Sequence, residues 1–126
     1  MKKNIVLDFD GVIHMYVTPW REAGIIPDGP VPGALDFIVD LVMNGYRVHI
    51  FSSRSHQPGG LRAMQEWLHD NFVRFGYATE ILEEIQWPTE KVPAHLSIDD
   101  RGITFSGEFP SLDYIANFKP WNRASK

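Results

Sequence analysis

The chain has 126 residues, 44% of them hydrophobic and 22% charged, with a formal net charge of -4. That length and composition fit one domain with its own core, residues 1–126. The acidic balance disfavours a nucleic-acid binder that works through a bulk positive field. Cysteine is absent, which excludes disulfides, thiolate metal sites and a Cys nucleophile. No apolar run nears the ~20 residues of a membrane span, so no membrane partner is expected. Lys2 and Lys3 ahead of Ile5, Val6 and Leu7 imitate an export signal, but Asp8 and Asp10 cut the apolar run short, and a cytoplasmic location is expected.

Residues 4–9 read as a first strand, with Ile5, Val6 and Leu7 consecutive, as in a central parallel strand covered on both faces. Residues 16–30 form a long stretch broken by Pro19, Gly24, Pro27, Gly29 and Pro30. A connection of that length inside a small domain is a functional or mobile loop, and 14–30 is read as a flap. A helix follows, with Pro32 in its first turn, Leu35, Ile38 and Val42 at helical spacing, and Gly45 as its stop. Residues 47–51 make a second strand ending at Ser52-Ser53. A second helix opens at Pro58-Gly59-Gly60, carries Leu61, Met64, Leu68, Phe72 and Phe75 on one stripe, and stops at Gly76. Residues 81–86 are expected as a third strand, 95–98 as a fourth and 103–105 as a fifth. Ser111 is placed to cap a last short helix bearing Leu112, Ile115 and Phe118. Strands alternating with helices predict a single α/β domain, three-layered and Rossmann-like, with a mostly parallel central sheet and no separate cap domain.

Ligands in such sheets lie beyond the carboxyl ends of the strands. The first strand ends there in Asp8-Phe9-Asp10-Gly11. A period of two sends both carboxylates to one side and Phe9 to the other, and Gly11 lets the chain turn away. The second strand ends in Ser52-Ser53-Arg54. Lys91 precedes the fourth, which ends in Asp99-Asp100. Two carboxyl pairs, a hydroxyl and an ammonium thus converge on one face of the sheet.

This ordered set resembles the haloacid dehalogenase superfamily, whose members are mostly phosphatases and phosphotransferases. The first motif stands here as LDFDGVIH from Leu7, the second as VHIFSSR ending at Arg54 with Ser52 at its Ser/Thr position, the third as Lys91, and the fourth as SIDDR from Ser97. The four span nearly the whole chain in the family's order. The resemblance implies a Mg²⁺-dependent hydrolysis of a phosphate monoester through an aspartyl phosphate. Asp8 would be the nucleophile. Asp10 would start protonated among its carboxylate neighbours, give its proton to the leaving alcohol, and then take one from water. Ser52, or Ser53 beside it, and Lys91 would bind the phosphate. Mg²⁺ ligands would come from Asp8, the Asp10 backbone carbonyl and Asp99 or Asp100. The N-terminus of the Gly60 helix would add a favourable dipole. A phosphotransferase would use the same intermediate, and a non-catalytic phosphate-binding module would keep the fold alone.

Outside the motifs, Arg54 and Arg101 are expected to orient carboxylates or loops. His49 is expected as a packed strand group, and His14 and His56 as structural groups near the site. Trp67 is expected beside its helix stripe. Trp20 has two readings, a ring tucked against the core or a ring that stacks on substrate beneath a closing loop. An open, capless site suits a small metabolite, a nucleotide or a nucleic-acid end, and a second copy of the chain could close it. Substrate and oligomeric state stay open.

Overall fold

A computed structural model describes residues 2–123, the side chain of Arg123 excepted. Three strands, β1 (Asn4–Leu7), β2 (Arg47–Ile50) and β3 (Leu96–Ile98), form an all-parallel sheet in the order β2-β1-β3. The helices are α1 (Ala34–Met43), α2 (Gly60–Arg74) and α3 (Leu112–Asn117). Short 3-10 segments lie at Ser53–His56, Thr79–Glu84 and Trp121–Arg123. No helix among the described residues is long and apolar enough to cross a membrane.

The core follows the periodicities in the sequence. Ile5 and Leu7 of β1 meet Val48 and Ile50 of β2, Leu35, Ile38 and Leu41 of α1, and Met64, Leu68 and Phe72 of α2 in one cluster. Burying an aliphatic or Phe side chain of this kind contributes about 1.5–3 kcal/mol, so the α2 stripe alone is a large share of the stability. Tyr77, just past α2, packs on Phe72 and donates its hydroxyl to Asp36 of α1, which locks the ends of the two helices together. His49 sits buried in β2 as expected, with Nε2 on Asn4 Oδ1 at 3.0 Å.

Several expected elements differ. The first strand ends at Leu7, two residues early, because Phe9 folds into a turn in which its carbonyl accepts from the N–H groups of Val12, Ile13 and His14, and the second ends at Ile50, one residue early, just ahead of the Ser52 cap. Residues 81–86 are not a strand. Thr79–Glu84 is a 3-10 segment that half-buries Ile81 and Leu82, and only Gln86 pairs with β2, trading backbone bonds with Val48 and Ile50. Residues 103–105 are not a strand either, and Ile103 and Phe105 are exposed. α3 forms with the Ser111 cap, the hydroxyl accepting from Tyr114 N–H at 3.0 Å, but Leu112 and Ile115 face solvent. Phe75 of the α2 stripe is exposed as well.

Candidate active site

The turn after β1 sets the geometry. Asp8 and Asp10 line one hollow of about 170 Å³ together with Tyr16, Trp20, Ser52, Ser53, Asp100 and Arg101. A second hollow, of about 210 Å³, opens on the other side of Asp8 and is lined by Lys91, Asp99, Phe51 and Ser97 among others. Asp8 thus stands between the hydroxyl pair and the lysine expected to flank it.

The two sides of Asp8 differ in chemistry. Asp8, Asp99 and Asp100 each offer an oxygen within 4.8 Å of the others. Burial, followed by the hydrogen bond with Asp100 and the nearby charge of Asp99, pushes the Asp8 carboxyl up to about 8, and burial raises Asp100 as well. Burial and the neighbouring carboxylates thus favour a proton between Asp8 and Asp100. Gly11 makes this closeness possible: a Cβ built there would lie 2.2 Å from Asp100 Oδ2, and its φ of +83° is one that glycine adopts freely. Asp99 Oδ1 accepts from the Arg101 N–H at 2.8 Å, which shapes the turn after β3.

Asp10 is the opposite case. His14 Nδ1 lies 2.9 Å from Asp10 Oδ1, and Arg54 Nε lies 2.8 Å from Oδ2. Burial alone would raise this carboxyl, but the bonds from His14 and Arg54 and the Arg54 charge outweigh it and hold it below the usual range. The expectation that Asp10 starts protonated is therefore corrected, since its close partners are donors rather than carboxylates. His14 is fully buried, and its Nε2 accepts from the Asp28 N–H at 3.0 Å, which leaves the ring proton on Nδ1 to be donated to Asp10.

Ser52 caps the 3-10 segment. Its hydroxyl oxygen accepts from Arg54 N–H at 3.2 Å, so its own O–H remains to be donated into the hollow. Ser53 is exposed at the same rim, and both serines line the hollow with Asp8. Lys91 is exposed in the second hollow. The first turn of α2 packs against the main chain of Arg54, where a Cβ on Gly60 would meet the Arg54 carbonyl at 2.1 Å. The Arg54 side chain holds Asp10, whereas Arg101 meets Asp99 through its main-chain N–H and also lines the hollow.

The 14–30 loop is built rather than free. Met15 N–H donates to Gly29 O at 2.9 Å and Val31 N–H to Ile13 O at 2.8 Å, closing its neck. Thr18 donates its N–H and hydroxyl to the Asp28 carboxylate, and Trp67 Nε1 donates to Asp28 O. Trp20 is 40% exposed, so it is not a core ring; the Arg54 guanidinium lies 4.5 Å from its ring centre. Sequence reasoning missed Tyr16, which lines the hollow from a left-handed backbone of φ 55°. A bulky residue there is strained, and such strain gathers at functional sites. It also missed the closing of the turn by the C-terminal segment, where Trp121 Nε1 donates to Gly11 O at 2.7 Å and Asn122 Nδ2 to Met15 O at 2.8 Å.

No family model, curated protein or solved structure matches the chain.

Proposed function

We propose that the protein is a Mg²⁺-dependent phosphatase of the haloacid dehalogenase type, acting on a phosphate monoester through an aspartyl phosphate on Asp8. The observation that supports this most is the placing of Asp8 and Asp10 on one hollow, with Asp100 against Asp8 and with Ser52 and Lys91 on either side. The fold behind this reading is Rossmann-like, with the three parallel strands as its centre, and the setting is cytoplasmic.

The donor set suits the cation. Three carboxylates with oxygens within 4.8 Å form a hard, all-oxygen cluster, and a cation among them would ease the crowding that raises Asp8 and Asp100. Asp8, Asp99 and Asp100 would hold Mg²⁺, with the Asp10 main chain beside them. When bound, it would displace the shared proton, keep Asp8 ionised and offset charge on the phosphoryl oxygens.

The chain's own groups do the rest. Ser52 donates its O–H to a phosphoryl oxygen and Lys91 meets another. Asp8 attacks phosphorus in line, and the bond from phosphorus to the ester oxygen breaks. Asp10, held as a carboxylate, takes a proton from solvent water as the anionic ester comes to lie beside it, because a second negative charge raises its proton affinity. It passes that proton to the leaving oxygen and is again the base that His14 and Arg54 prepare. In that state it takes a proton from the water that hydrolyses the aspartyl phosphate.

Turnover of 4-nitrophenyl phosphate and of a panel of phosphorylated metabolites, nucleotides and oligonucleotide ends, with Mg²⁺ and with EDTA, tests the proposal. Mg²⁺-dependent release of phosphate that disappears in Asp8→Asn is the expected result. No turnover of any phosphate ester, or retention of activity in pure Asp8→Asn, overturns it.

A further inference from the structure

Arg54 is buried beside the candidate site and hydrogen-bonded through two of its three guanidinium nitrogens. It is 1% exposed and is the largest fully buried side chain among the described residues. Its Nε donates to Asp10 Oδ2 at 2.8 Å. Its Nη1 points the other way and donates to the carbonyls of Ala23 at 2.8 Å, Ile25 at 3.1 Å and Glu22 at 3.3 Å. Its guanidinium plane lies over the ring of Trp20. One planar group therefore joins the carboxylate to three main-chain oxygens and one aromatic ring of the 14–30 loop. The main chain of Arg54 is itself fixed from behind by Gly60, whose missing side chain admits the Arg54 carbonyl.

Burying a guanidinium is costly unless every donor finds an acceptor. A Lys could reach Asp10, but its compact ammonium could not hold the carboxylate and the fan of carbonyls at once, nor stack flat on a ring. A Leu or Met of similar volume would fill the space without either. The choice of Arg makes sense where two parts of the chain have to be kept in one fixed relation.

We infer that Arg54 is a positioning residue that sets the orientation of Asp10 through the seated 14–30 loop, so that proton transfer at the ester oxygen depends on contacts made by Trp20, Glu22, Ala23 and Ile25. Arg54 itself touches neither substrate nor metal. The inference rests on the phosphatase reading, in which Asp10 serves the leaving group. It has a consequence that a purely structural role lacks: the need for Asp10 grows with the basicity of the leaving oxygen. An ester that expels a weakly basic phenolate leaves without help, whereas one that expels a more basic phenolate needs a placed proton donor.

The experiment compares 2,4-dinitrophenyl phosphate with phenyl phosphate, two esters with one ring each, using the full chain with Mg²⁺. The quantity read is kcat/KM, which reports the step that forms the aspartyl phosphate. In Arg54→Lys the value for phenyl phosphate should fall by roughly 10²-fold, the usual worth of a positioned proton donor, while that for dinitrophenyl phosphate changes by less than about threefold, with KM nearly constant. Trypsin should also cut after Arg21 faster in the variant than in the parent, as the loop loses its tether. Equal losses on both esters, or no loss on either, overturn the inference and leave the phosphatase reading standing. A parent with no Mg²⁺-dependent turnover of either ester overturns both. If Arg54→Lys does not fold, Trp20→Ala serves, since that ring is half-exposed and removing it strips one side of the Arg54 seat. The same preference for the better leaving group, smaller in size, is expected. An equal effect on both esters would then show that Trp20 acts on the substrate ring alone and would overturn the coupling.

Discussion

The two sides of Asp8 were built by different strategies. On one side Asp10 is enclosed by donors from its own turn and from the segment after β2, and it stays an anion without any outside help. On the other side Asp99 and Asp100 follow the edge strand β3, whose Leu96 and Ser97 are exposed, and burial beside these carboxylates raises both Asp8 and Asp100. The first half is finished by the protein. The second keeps three carboxylates with oxygens within 4.8 Å of one another. The contrast extends to packing, because the buried core runs from Ile5 to Ile85 and every large side chain of α3 faces solvent.

The largest way to break this arrangement is at Asp8, which belongs to both sides. Asp8→Asn should bring turnover to background while circular dichroism and the melting temperature stay close to the parent, since an amide can still donate to Asp100. An unfolded variant would show instead that the shared proton is a structural requirement. Next in size is Gly11→Ala. A left-handed alanine costs about 1–2 kcal/mol, and its Cβ would force Asp100 away, so both a lower melting temperature and loss of the thermal response to Mg²⁺ are expected. A response equal to the parent's would place the cation elsewhere.

Acidity sharpens the comparison more gently. A carboxyl raised in the folded state holds its proton where the unfolded chain, with a value of about 3.9, has released it. The folded state then binds more protons, and stability falls as pH rises from about 4 through the folded value of about 8 of Asp8. In EDTA the melting temperature should therefore decline between pH 5 and pH 8.5, on the order of a few degrees. Mg²⁺ should flatten that decline by taking the place of the proton. Asp10 acts with the opposite sign: its lowered carboxyl stabilises the fold above the unfolded value, and that contribution is lost as pH drops through the folded one. A decline of the same size with and without Mg²⁺ would mean that the acidic side does not bind it. The smallest expected effect is on stability in Trp20→Ala. A core Trp truncated to Ala costs about 3–5 kcal/mol, and a ring 40% exposed should cost well under half of that, as urea denaturation would show.

Much of this was legible in the sequence because it depends on local rules. The turn of Asp8-Phe9-Asp10-Gly11, the serines after β2 and the acids after β3 each follow an apolar strand, and the stripes of α1 and α2 have helical spacing. The role of Arg54 as an orienting group could be foreseen from its place two residues after Ser52. The proton on Asp10 could not be read in this way. Its ionisation depends on His14, four positions on, and on Arg54, 44 positions away, and the turn and the fold bring the three together. The apolar runs at 81–86 and 103–105 misled for a different reason. Short apolar clusters suit a strand only if a backbone neighbour exists. Gln86 alone finds one on β2, while 103–105 carries no strand pairing. Tyr16 gave no signal because a left-handed backbone at a non-glycine position is fixed by its surroundings.

The indole of Trp121 donates to the carbonyl of Gly11, and the amide of Asn122 to those of Met15 and Tyr16. Side chains 110 and 107 positions downstream therefore fasten the turn that follows β1. A nascent chain halted before position 121 would carry every motif and still lack the last fastening of the segment that presents Asp8 and Asp10. On the phosphatase reading, a chain cut back to residue 120 should therefore turn over more slowly than the full chain, as a turnover assay would show.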